Sequence, residues 1–364
     1  MWTKGNEAIS RLLTVSLHRY PRRPRLSTDV LNLAQPTQWK EPFMGRVLDF
    51  PPNRPAHPAR AMEAPSPGKP SELIETEQFS SAVFLLARSF AAVYESLPWT
   101  AALFATQQRR LLCHAALSDY FLAVRRVGAG LTRNGFGSLA RQYGIASRYT
   151  AYAFFDEALR YNVIRPVAGS RGGPSDEVGP THSTLSMLIR WYSLHFQALD
   201  LIDGGGRAAR FLMEPQRMLI LIEPLAAHAL LTSREVRSPG PLHAIFASGD
   251  TGGFLMDRLI AGIDPETVVG QGRLLTNVSS ISSLASSFGL SRAHISGKLA
   301  AAESIGAVGW SGRRGRSHIW ISSGFYQEYA RAHARKLSIL DDAFTEACSI
   351  LASFPIKSAA TSDS

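Results

Sequence analysis

Cysteine is nearly absent from this 364-residue chain: it has two, Cys113 and Cys348, each alone among apolar, helix-patterned neighbours. No disulfide framework or thiolate zinc cluster can be assembled from them, and such sparing use fits a reducing compartment. Long apolar runs are missing too. The best stretch, residues 218–231, is interrupted by Glu223, Pro224 and His228 and falls short of the roughly 20 residues that cross a bilayer, so no membrane partner is expected. Residues 12–17 are too short and too polar for a signal h-region, which points to a cytoplasmic location. Charge is modest at 19%, but 45% of residues are apolar, enough to form a core and to exclude wholesale disorder.

Signatures of chemistry are equally scarce. The ten histidines are dispersed, and pairs such as His228 and His243 lack metal-ligand spacing. Gly128 with Gly130, and Gly270 with Gly272, begin like dinucleotide loops but lack a third glycine and a preceding strand. No Ser, His and acid grouping has a local signature. The expectation is therefore a protein without catalytic residues, cofactor or metal.

Positive charge is present and unevenly spread. Residues 1–60 hold ten basic and four acidic residues, 61–272 hold nineteen of each, and 273–364 hold ten and six. Within 273–336 the count is nine to two, and a local excess of this kind points toward phosphate once it falls on a binding element. Residues 1–70 carry eleven of the 21 prolines and no sustained apolar period, so a flexible basic tail is expected there. From residue 72 onward apolar residues recur at helical spacing, as in Val83, Leu86, Phe90 and Val93, with a break near Pro98. A flexible tail is again expected over 353–364.

The chain repeats itself. SLARQYGIASRYTAYAFFDEALRYNVI at 138–164 aligns with SLASSFGLSRAHISGKLAAAESIGAV at 283–308; downstream, Leu199, Ile202 and Asp203 answer Leu337, Leu340 and Asp341. Units of roughly 140 residues are too long for a solenoid and suit duplicated domains, 71–205 and 206–352. In the second copy Ile281, Leu284, Ala285 and Phe288 mark one side of a short helix, which Gly289 can end with a positive φ. Ser291 is a good N-cap for a second helix with an inward stripe of Ile295, Leu299 and Ala302. Two short helices joined by a glycine turn form a helix-turn-helix. A hairpin follows, with Gly312, Arg313, Arg314, Gly315 and Arg316 at its tip.

These segments, LASSFGLSRAHISGKLAAAESIGAV with SGRRGRSHIWIS, resemble the winged helix-turn-helix transcriptional regulators, MarR-like proteins in particular. The resemblance implies a mainly α fold with small β-hairpin wings, built as tandem winged helix-turn-helix domains with flanking long helices. It implies that the second helix enters the major groove of double-stranded DNA and that the wing meets the backbone. The implied contacts are Arg292, Ala293, His294, Gly297, Lys298, Arg313, Arg314 and Arg316, with Arg148, Tyr149 and Tyr152 in the first copy. MarR-like proteins work as dimers with paired flanking helices, so a monomeric pseudo-dimer, or a homodimer, is implied. The sequence departs from the pattern at Gly297, where a basic residue is common, and at Ala302 and Ala307, which replace leucines. The first wing sets Arg171 against Asp176 and Glu177. The expected function is a nucleoid-associated transcriptional regulator; a plasmid-type replication initiator and a protein-interaction scaffold are the alternatives. Phe84, Tyr94, Trp99, Phe104, Trp191 and Phe196 suit either the core or a pocket for a small-molecule effector.

Overall fold

Capping and glycine chemistry set the helix boundaries of this protein. The computed structural model describes residues 70–96, 104, 106–126, 130–167, 176–247, 252–264 and 272–353. Residues 1–69, Pro98, Trp99, the first hairpin's tip with Arg171, and the tail after 353 lie outside the described residues. Among the described residues the architecture is mainly helical with two small antiparallel sheets.

The first half comprises α1 (Pro70–Glu75), α2 (Phe79–Ser96), α3 (Gln107–Arg126), α4 (Arg133–Gln142), α5 (Arg148–Arg160), β1 (Ile164–Pro166), β2 (Val178–Pro180) and α6 (His182–Asp203). Thr132, Ser147 and Thr181 each accept a backbone N–H three residues on, which starts α4, α5 and α6. Gly144, at φ 59°, makes the turn after α4, and Gly204, at φ 73°, ends α6.

The second half follows a three-glycine junction and carries the same succession of long helices, short helix pair, hairpin and long helix, with two further short helices and a strand in addition. It has α7 (Arg207–Met213), α8 (Pro215–Thr232), α9 (Arg234–Arg237), α10 (Pro241–Ala247), α11 (Gly252–Ala261), β3 (Arg273–Leu275), α12 (Ile281–Ser287), α13 (Arg292–Ser304), β4 (Val308–Trp310), β5 (Ile319–Ser322) and α14 (Ser323–Ser353). The hairpin expected from sequence is β4–β5, paired Val308 to Ile321 and Trp310 to Ile319. A strand not anticipated there, β3, joins its other edge in the order β3-β5-β4. The first copy keeps a remnant of that edge, a single bridge between Leu131 and Val178.

The long helices cross over between the halves. Helix α2 packs on α11 of the second half, and α8 packs on α3 of the first; α2 also meets α6, α8 meets α14, and α6 meets α14. Exchanging α2 with α8, α3 with α11 and α6 with α14 leaves this pattern of packing unchanged. One apolar cluster accordingly mixes Leu112, Phe136 and Phe155 with Leu230, Leu231 and Ile339.

Two polar clusters pin the crossing helices. Glu223 on α8 is fully buried; its carboxylate accepts from Tyr192 Oη of α6 at 2.6 Å and lies 2.9 Å from His114 Nδ1 of α3. Arg207 donates to both repeat-related aspartates, to Asp341 Oδ1 from Nε at 2.6 Å and to Asp203 from Nη1 and Nη2 at 2.8 and 2.7 Å. Those bonds hold the Asp203 carboxyl below its ordinary value.

Tyr192→Phe removes the buried donor to Glu223 and should lower unfolding free energy by about 1–3 kcal/mol, read from urea titration. A depressed carboxyl stabilises the fold above its unfolded value near 3.9 and stops doing so as pH falls through the folded value. The stability gap between wild type and Arg207→Gln, wide at pH 6, should therefore narrow below about pH 4; a constant gap would show that Asp203 is not held by this arginine.

Candidate nucleic-acid interface

The second copy presents a helix with one face exposed. Ser280 caps α12, Gly289 at φ 64° makes the turn, and Ser291 Oγ accepts from His294 N at 3.1 Å to start α13. Ile295, Leu299 and Ala302 turn inward and are buried; Arg292, Ala293, His294 and Gly297 are exposed on the other side. A Cβ built on Gly297 meets nothing within 4 Å. Its missing side chain therefore makes room for no other part of the chain.

Lys298 is placed differently from its neighbours. It is half-buried, and its Nζ donates to the Ile245 carbonyl of α10 at 3.0 Å, tying α13 to that short helix. The hairpin tip is a compact turn: Arg316 N donates to Arg313 O at 3.0 Å, Ser317 Oγ to the same carbonyl at 3.0 Å, and Gly315 has φ 75°. Arg313, Arg314 and Arg316 are all exposed. Arg314 Nε lies 3.2 Å from Glu303 Oε2 at the end of α13, joining hairpin to helix. On the sheet, the Arg273 guanidinium sits 4.4 Å above the Trp320 ring, an exposed cation that helical pattern reasoning did not single out.

The first copy spends its charge internally. Arg148 and Tyr149 are exposed, Tyr149 at 85%. Tyr152 is half-buried instead: its hydroxyl donates to Asn134 Oδ1 at 2.9 Å, and its ring lies under Arg133 at 4.1 Å. Gly137 leaves the space that the ring fills, since a Cβ there would come within 2.6 Å of Tyr152. Arg133 in turn makes a bidentate pair with Asp156 at 2.9 and 2.8 Å. That hydrogen bonding draws the Asp156 carboxyl below its ordinary value.

A short segment connects the two copies. Arg237 at the end of α9 donates from Nη2 to the Gly144 carbonyl in the first helix turn at 2.8 Å, while eight residues on Ile245 receives Lys298 from the second. Of the aromatics considered for a pocket, Phe84 and Phe196 are core, whereas Tyr94, Phe104 and Trp191 line a cavity. Among the described residues no group of His, Cys, Asp and Glu gathers as a metal site, and no helix is long and apolar enough to cross a membrane. Comparison of the chain with protein-family models, curated proteins and solved structures finds no match.

Gly297→Ala should raise stability by about 0.5–1 kcal/mol, because an exposed helix-interior glycine is replaced without a clash. Thermal unfolding checks this directly. A loss of stability would mean that the helix meets a neighbour at that point.

Proposed function

We propose that the protein is a transcriptional regulator that binds double-stranded DNA through two winged helix-turn-helix units joined as a pseudo-dimer within one chain. One observation carries this reading. Helix α13 is capped and buried along Ile295, Leu299 and Ala302, yet its opposite face of Arg292, Ala293, His294 and Gly297 is exposed and is followed by a hairpin with three exposed arginines. Short side chains at the start of a helix permit close approach to base edges, and guanidinium groups on a turn reach phosphates. Crossed packing that is unchanged by exchange of the halves supports the pseudo-dimer. The reading includes no catalysis and no cofactor, and it locates the protein in the cytoplasm at the nucleoid.

The two units divide the work on this reading. The second supplies affinity through Arg313, Arg316 and Arg292. The first has Arg133 neutralised by Asp156 and Tyr152 turned inward, so Arg148 and Tyr149 bind the duplex more weakly. A protein-contacting role for the first unit is the second reading, favoured by the exposed Tyr149 ring.

Fluorescence anisotropy with random duplex DNA over a salt series tests the proposal. Affinity should fall steeply with salt, and the triple change R313A, R314A and R316A should weaken binding to every duplex and flatten the slope by up to about 0.9 for each phosphate no longer neutralised. Changes at Arg292 or His294 should act on discrimination between sequences, by about 1–3 kcal/mol. No binding at low salt, or equal weakening by Arg148→Ala and the triple change, would overturn the assignment.

A further inference from the structure

The outer face of the three-stranded sheet departs from the usual pattern of a half-buried sheet, apolar within and polar without. Leu274, Ile319 and Ile321 point inward and are buried. Alternation along the strands puts Arg273, Leu275 and Trp320 on the other side, and the register sets Leu275 and Gly309 directly across from Trp320. Leu275 is 48% exposed. The indole lies over Gly309, where any side chain would collide with it, and its Nε1 donates to the Trp310 carbonyl at 3.2 Å. Arg273, itself exposed, lies over the ring. The ring is thereby fixed before any partner arrives, which lowers the entropy cost of docking on it.

The first copy has no such face. Its register puts Gly179 at the place of Trp320, and a Cβ built on that glycine meets the Tyr120 ring of α3 at 3.3 Å. An aromatic of the same chain thus covers the first hairpin, while the second sheet turns tryptophan, leucine and arginine outward. Tryptophan and arginine are among the residues that most often anchor protein contacts. Arg273 is the one charged residue of the three strands, so a fitting partner is apolar with acidic neighbours.

This chain carries such a surface itself. Helix α1 packs on α14 with Leu73 buried, and leaves Ile74 39% exposed beside the exposed Glu75, with exposed Glu77 in the turn that follows. Residues 70–87 include three acids and no base. Other large apolar side chains exposed among the described residues are differently placed. Tyr149 and Tyr161 follow arginines, Leu212 and Met213 stand between Arg210 and Arg217, and the aspartates beside Leu201 already pair with Arg207. Near Ile305, Glu303 is held by Arg314.

We propose that α1 of one copy docks on the outer sheet face of a second copy, with Ile74 against Leu275 and the Trp320 ring and with Glu75 and Glu77 on Arg273. The two surfaces differ, so the contact is heterologous and successive copies add head to tail. One short helix on one small sheet makes a limited interface, so association is weak and sensitive to salt. It uses neither the exposed face of α13 nor the hairpin arginines.

Sedimentation velocity of the full chain, without DNA, tests this. The sedimentation coefficient should rise between about 1 and 200 µM chain at low salt, and the rise should shrink at about 0.5 M salt. R273E, which sets like charges together, and I74E, which puts a charge where an apolar side chain docks, should each weaken association about tenfold or more. Their equimolar mixture should recover it but stop at a dimer, since only α1 of R273E and the sheet of I74E remain matched. Recovery in the mixture also shows that both variants are folded. The proposal fails if the wild type stays monomeric throughout, if either variant associates like the wild type, or if the mixture associates no better than its components. No DNA is present in the measurement, so its outcome and that of the DNA-binding reading are independent.

Discussion

Neither half of this protein covers its own core. Helix α3 lacks a lid until α8 arrives from the other half, and α11 lacks one until α2 does. Apolar burial, the main term favouring the folded chain, therefore becomes available only when both halves are in place. The polar clusters follow from the same crossing. Glu223 travels on α8 into the first half, where burial would be prohibitive without Tyr192 and His114 to receive it. Arg207 stands where α6 and α14 meet and satisfies an aspartate from each. Two halves joined this way unfold as one unit, because opening either half strips the other.

The parts of the fold that depend on neighbouring residues were legible in the sequence. Ser291 caps α13, Gly289 takes positive φ, and Ile295, Leu299 and Ala302 are buried, because caps, left-handed turns and helical stripes are set within a few residues of chain. The antiparallel hairpin over 308–322 was legible for the same reason. Strand β3 was not: three residues with no alternating pattern become a strand only because β5 offers an edge. The exchange of helices between halves was equally hidden, since a helix's apolar stripe does not say which partner it faces. At the candidate interface the exposed positions of α13 and the hairpin arginines were legible from spacing. The commitments of Lys298 to Ile245, Arg314 to Glu303 and Tyr152 to Asn134 were not, since each joins residues from separate elements.

The two copies have diverged mainly in where their cations go. In the first, Arg133 is stacked on Tyr152 and paired with Asp156, and Arg109 is paired with Glu157. In the second, α13 has only Glu303 as an acidic residue, and that residue meets a hairpin arginine at the helix end. The two segments thus present surfaces of different potential. The acidic residues of α5 and the first hairpin, Asp156, Glu157, Asp176 and Glu177, have only Glu303 as their counterpart on α13 and the second hairpin.

The stretch from Arg237 to Ile245 acts as a leash of fixed length. One end is fastened to the Gly144 carbonyl, the other to the Lys298 ammonium. Eight residue steps span at most about 28 Å when fully drawn out, and less here because α10 coils most of the second part. As long as both fastenings hold, the Gly144 turn and helix α13 cannot drift farther apart than that tether and its two side chains allow. Lengthening the loop by a few residues at Ser238, Pro239 or Gly240 would slacken the leash without touching the exposed faces of α5 or α13.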